Sequence, residues 1–215
     1  MKDNTITNNS LLVALVVLIS SFFIPVAVAN DTQIVEPQVL VKDSTEKMLH
    51  ALKEHQDALK EDPSLIYGLV ESIIMPNFDF NKIAKLALGK NWRKATVEQR
   101  EQFIEQFRLL LIRTYSTAML EYTDQEIKYL PFRGDLKKKK VKVPMEIIQA
   151  GGPSIPMVLS MYLNKQGEWK VYDVKIEGVS LVTNYRSTFS NQIRTEGMDK
   201  LIENLAKKNE KVTTT

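Results

Sequence analysis

The chain has no cysteine and only two histidines among its 215 residues. The first absence removes disulfides, a thiol nucleophile, a thiolate metal site and the cysteine to which a lipoprotein's lipid is attached. The histidines, His50 and His55, stand five residues apart in one helical stretch. That step turns them away from each other, unlike the four-residue step of a zinc-binding helix. Glycine is scarce, at eight residues. Gly151-Gly152 is not followed by Gly-Lys-Ser or Gly-Lys-Thr, so it reads as a turn and not as a phosphate loop. Ser180 lacks the second glycine of a nucleophile elbow, because Val182 stands there, and no histidine lies downstream. Carboxylates are nowhere concentrated. Together these gaps argue against an enzyme, a metal site and a resident cofactor. A net charge of +3 is also too mild to predict a nucleic-acid partner.

Long apolar runs are equally rare. Only one exists, Leu11 to Ala29, and it closes on Ala27-Val28-Ala29, the small-x-small pattern of a signal-peptidase site. Residues 1–29 are therefore expected to be a signal peptide cleaved after Ala29. A retained membrane anchor is the rival reading, since the run has nearly the length of a span. Ser20, Ser21 and Pro25 interrupt it, however, and no basic stop-transfer cluster follows. Residues 30–215 are long enough to bury one core and are read as a single domain.

What is present is a change of period. From residue 38 to 123 apolar side chains recur at helical intervals, first over Gln38–Leu59 and then over Leu65–Ile74, with Asp62-Pro63 read as the opening of the second helix. A short third helix closes at Gly89. Thr96-Val97-Glu98-Gln99 matches a capping box, and the helix it opens aligns Phe103, Phe107, Leu110, Leu111, Tyr115, Met119 and Tyr122 on one face. Between 126 and 178 the period is two, and four strands are read: "EIKYLPF", "KKVKVPMEII", "SIPMVLSMYL" and "EWKVYDVKIEGVSL". In the last, Trp169 and Val171 share one face while Tyr172, Val174 and Ile176 share the other, which implies either a bulge or a strand covered on both sides. Residues 180–209 return to helical spacing, broken at Gly197. The order predicts an α+β fold, a twisted antiparallel sheet of about four strands with N- and C-terminal helices packed over its concave face.

Two features are left over. The stretch "PMEIIQAGGPSIPMVLSMYL" carries three of the eight methionines and almost no charge. Either it is ordinary core, the commoner fate of such a stripe, or one face lines a cavity for something greasy. The parity of Ile155–Leu163 leaves open which face is inward. The second feature is the lysine run Lys137–Lys140, extended by Lys142. It reads first as a solvated edge that discourages aggregation, and second as an attraction to an anionic membrane surface or an acidic partner.

Several segments also carry a family pattern. Phe78-Asp79-Phe80, Leu88-Gly89-Lys90, Trp92-Arg93, Ala95, Gln99-Arg100, Phe103, Phe107, Leu111 and Tyr115 follow one another as in the MlaC (toluene-tolerance) family, which the chain resembles. Val171-Tyr172-Asp173-Val174, Glu177-Gly178-Val179-Ser180, Gly197 and Leu201 extend the match, and the lysine run lies outside it. The resemblance implies a monomeric periplasmic phospholipid carrier. It would shuttle lipid between an outer-membrane lipoprotein complex and the substrate-binding component of an inner-membrane ABC transporter, maintaining outer-membrane lipid asymmetry. It tips the methionine-rich strands toward a cavity, for which an unbranched thioether is an adaptable wall. The expected lining is Met145, Ile147, Ile155, Met157, Leu159 and Met161 from two strands, with Tyr172 and Val174 from a third. Leu69, Ile73, Leu111, Tyr115 and Met119 would complete it from the helices. A protein-binding periplasmic adaptor with a solid core is the alternative.

Overall fold

The computed structural model describes residues 36–120, 126–149 and 151–211. The expected signal peptide, its cleavage after Ala29 and the helix position of Tyr122 lie outside the described residues.

Helix α1 runs Pro37–Glu54 and α2 Gln56–Glu61, where the sequence pattern predicts one helix. The interruption is a single residue, His55, at φ −100° and ψ 17°. Hydrogen bonds on both sides survive it, from the His55 amide to Ala51 O at 3.0 Å and from the Leu59 amide to His55 O at 2.9 Å. Helix α3, Leu65–Ile73, starts later than Pro63 because Asp62 holds a turn: its carboxylate accepts from the Ser64 amide at 3.0 Å and from the Ser64 hydroxyl at 2.6 Å. Helix α4, Phe80–Leu88, is capped by Asp79, whose carboxylate accepts from the Lys82 amide at 2.9 Å. It ends at Gly89, with φ +55°. The capping box forms in both directions, Thr96 and Gln99 exchanging bonds of 3.1 Å, and opens α5, Val97–Leu120.

The sheet is an antiparallel meander in the order β1 (Glu126–Tyr129), β2 (Lys140–Ile148), β3 (Ile155–Leu163), β4 (Trp169–Ile176) and β5 (Val179–Ser180). It has five strands where four were expected. Glu177 and Gly178, at φ +50° and +82°, make a two-residue turn that folds the end of the fourth segment back on itself. The suspected bulge is real. Met161 pairs with Val171 and Ser160 with Asp173, so Tyr172 is the extra residue. The extra residue realigns β4: Trp169, Val171, Val174 and Ile176 lie opposite Leu163, Met161, Leu159 and Met157, and all share the face on which the helices stand.

Helix α6, Leu181–Glu196, is capped by Ser180 Oγ, which accepts from the Thr183 amide at 3.1 Å. Gly197, at φ +89°, separates it from α7, Met198–Lys211. Helix α6 reaches the sheet at β4, whereas α7 packs chiefly on α5. The buried apolar side chains divide into three clusters, although a domain of this size usually has one. One joins α4, α5, α6 and α7 around Phe103, Phe107 and Phe189. The second lies on the sheet under Val41, with Val143, Met161, Trp169 and Val171. The third joins α1, α2, α3 and α5 through Met48, Leu52, Ile66, Val70 and Ile112.

Candidate functional site

The space between these clusters is not filled. On the helix-facing side of the sheet, Val141, Val143, Met145, Met161 and Val171 are buried. Further along the same face Ile147, Ile155, Met157, Leu159, Val174 and Ile176 are only half-buried, although helices stand over them. Sheet and helices close at one end and part at the other.

Two adjoining hollows result. The first, about 210 Å³, lies between α1 (Leu40, Val41, Met48, Leu49, Leu52) and the sheet (Met145, Ile147, Met157, Leu159, Met161, Val174). The second, about 300 Å³, lies deeper beside α3, α4 and α5, walled by Val70, Phe80, Ile83, Leu111, Tyr115 and Ile155 among others. They share a wall of Ile74, Phe78, Met119, Ile147, Met157 and Val174. Each is larger than the roughly 150 Å³ at which an apolar cavity stays dry and accepts a benzene-sized guest.

Most of the polar groups in these walls are engaged by the protein itself. Asn77 donates to Ser44 Oγ at 2.8 Å, while Ser44 and Thr45 donate to Leu40 O and Val41 O, each at 2.8 Å. The Asp173 carboxylate accepts from the Ser180 hydroxyl at 2.8 Å and the Val182 amide at 3.2 Å. Ser180 thus ties β4 to the start of α6. Burial pushes the Tyr115 phenol above its ordinary pKa, and its hydrogen bond with Tyr185 pulls the other way. Ser116 Oγ alone among the lining groups is buried without a hydrogen-bond partner. The hollows therefore present hydrocarbon and sulfur, with little to bind a polar guest. His50 points to solvent beside Glu54, 3.6 Å away, and lines neither hollow.

Of the residues the sequence nominates, Leu111, Tyr115, Met119, Met145, Ile147, Ile155, Met157, Leu159, Met161 and Val174 are brought together around the hollows. Leu69 and Ile73 are not: they pack against the cluster between α1, α3 and α5. Tyr172 is not either. The bulge leaves it on the other face of the sheet, its ring 5.9 Å from that of Tyr162. Sequence reasoning missed the wall supplied by α1 and by Ile74 and Phe78. The signal was present in α1, where Val41, Met48 and Leu52 recur at helical spacing, but a stripe does not say whether it faces core or void.

The family model for the MlaC protein matches residues 42–207 of the chain. The chain is 28% identical over 189 residues to the intermembrane phospholipid transport system binding protein MlaC of Haemophilus influenzae, covering 86% of this chain and 88% of that one. It is 31% identical over 173 residues to the toluene tolerance protein ttg2D of Pseudomonas putida, covering 79% and 80% respectively. Among solved structures, the phospholipid-binding protein from Ralstonia solanacearum in complex with a phospholipid superposes with a TM-score of 0.75 at 29% identity, covering 82% of this chain and 98% of that one.

Proposed function

This chain belongs to the MlaC protein family, and on that premise we propose that it is a periplasmic phospholipid carrier that holds acyl tails in the paired hollows. The observation that carries the reading is the unfilled apolar space between sheet and helices, in a fold whose Ralstonia neighbour is in complex with a phospholipid. A tail of a dozen or more methylenes loses about 10 kcal/mol of favourable burial when left in water. Crossing an aqueous compartment therefore requires a dry container. Met119, Met145, Met157 and Met161 suit its wall, because an unbranched thioether adapts to tails of different contour. Part of that burial energy is offset by ordering the tails, which keeps release feasible.

The signal segment directs the chain to the periplasm, where cleavage after Ala29 releases it. It exchanges cargo with an outer-membrane lipoprotein complex and with the substrate-binding component of an inner-membrane ABC transporter, and contributes to outer-membrane lipid asymmetry. A protein-binding adaptor with a solid core has no use for the hollows. The test is to purify the protein without added lipid and examine it by native mass spectrometry and solvent extraction. Co-purifying phospholipid is expected. Protein that is lipid-free and takes up none from vesicles would sink the reading.

A further inference from the structure

The face of the sheet turned away from the hollows carries a groove of about 680 Å³ that lipid carriage does not explain. Its floor is apolar, made by Pro144 on β2, Val158 on β3 and Tyr172 at the bulge, and one wall is the segment 130–134 that follows β1. Arg133, Lys140 and Lys142 line it, and Lys137, Lys138 and Lys139 stand exposed on the turn leading into β2. Lys82 adds a further cation near Tyr172, its ammonium 3.0 Å from the centroid of the Tyr162 ring and 5.3 Å from that of Tyr172.

Lys82 has the Asp79 carboxylate beside it, but the cations of residues 133–142 have no such acid: among the described residues none of Arg133, Lys140 and Lys142 forms an ion pair, nor do the three lysines of the turn. Some lysines elsewhere on the surface do find acids, such as Lys47 with Asp43 at 2.7 Å and Lys200 with Glu203 at 2.9 Å. What sets this face apart is that six unpaired cations fall within ten residues, Arg133 to Lys142. The one acid within the run, Asp135, is turned to the backbone and accepts from the Lys137 amide at 3.1 Å. A concentrated positive field with no internal partner attracts an anionic one.

We propose that this groove docks an acidic, extended segment of a partner protein. Its carboxylates would meet Arg133, Lys140 and Lys142, and its apolar side chains would cover Val158 and Tyr172. The concave shape favours a polypeptide over a membrane surface: a bilayer meets only the lysine tips, whereas side chains reach the recessed floor. The groove and the hollows lie on opposite faces, so the site does not depend on what fills the hollows.

The full mature protein is titrated with an acetylated peptide of alternating glutamate and valine, with its lysine–valine counterpart, and with vesicles of phosphatidylglycerol and phosphatidylcholine. Binding is followed by calorimetry and by amide chemical shifts. The acidic peptide is expected to bind and to shift the amides of Arg133, Lys140, Lys142 and Tyr172. Its affinity should fall roughly tenfold or more in the doubly reversed variant K140E/K142E and weaken with added salt. Both lysines are exposed, so the variant is expected to keep the wild-type melting temperature and its co-purified lipid. Absence of peptide binding, shifts confined to another surface, an unchanged affinity in the variant, or binding of the vesicles alone overturns the proposal.

Discussion

Val143, Leu159 and Val174 form one cross-strand row on the helix-facing side of the sheet, a valine on either side of the leucine. The two valines are chemically identical and share a neighbour. Val143 is 0% exposed within packed core, whereas Val174 is half-buried and borders both hollows. Truncating either to alanine removes two methyl groups. At Val143 the loss is about 0.8 kcal/mol of transfer energy per methyl plus the cost of the new cavity, in all about 2 to 3 kcal/mol. At Val174 the void already exists, so no new cavity opens and only part of the transfer energy is lost, about 1 kcal/mol or less. With a urea dependence of about 2 kcal/mol per molar, the unfolding midpoint of lipid-stripped protein should fall by roughly 1 to 1.5 M for Val143→Ala and by about 0.5 M or less for Val174→Ala. Circular dichroism on urea series of the two variants makes the measurement. Restoring phospholipid should raise the midpoint of Val143→Ala as much as that of the wild type, and of Val174→Ala less, because its wall has lost contact with the cargo. Equal losses at the two valines in stripped protein would refute the reasoning, since the space before Val174 would then be packed in solution.

A charge probes the same contrast more harshly. Met157→Asp, on the wall shared by the hollows, should abolish lipid retention in native mass spectrometry while the far-ultraviolet spectrum persists, whereas Val143→Asp should prevent folding because its carboxylate has no partner or water. The Tyr162 hydroxyl donates to the Asp79 carboxylate, which with burial pushes the phenol up to about 12 from 10.0. A phenol whose pKa is raised by folding stabilises the native state below pH 10 and loses that contribution as the pH climbs toward 12. Burial also raises Tyr115, Tyr129 and Tyr185, so ultraviolet titration should show several tyrosines ionising late. Tyr162→Phe should remove one of these steps and part of the decline in stability across that window. Thr96→Ala breaks the capping box at the start of α5 and should cost about 1 kcal/mol in thermal or urea unfolding, with lipid content unchanged.

Much of the local architecture was legible because its causes are local. Thr96 and Gln99 satisfy each other's amides within one turn, and Gly89 and Gly197 close their helices at positive φ. The strict alternation of Val141, Val143 and Met145 against Lys140 and Lys142 marks β2 and its wet side. The residues that failed did so for a shared reason. Tyr172 was assigned with Val174 by simple alternation, but the pairing of β4 with β3 places the extra residue at Tyr172 and sends the two to opposite faces. Leu69 and Ile73 lie on the apolar stripe of α3, but the rotation of α3 against α1 and α5 decides which part of the stripe meets the hollows, and that part is Val70 with Ile74 just past the helix end.

The sequence by itself determined the elements, their order and which strand and helix faces are apolar, because periodicity, caps and turn residues act over a few positions. It did not determine whether those faces meet. Half-buried Met157 and fully buried Met161 lie four residues apart on one strand face, with only Leu159 between them on that side. They differ only in how far α1, α3 and α5 stand from the sheet above them. That distance is set by three packed clusters that touch the same helices at different points, so the hollow is a property of the assembled tertiary structure and of no segment within it.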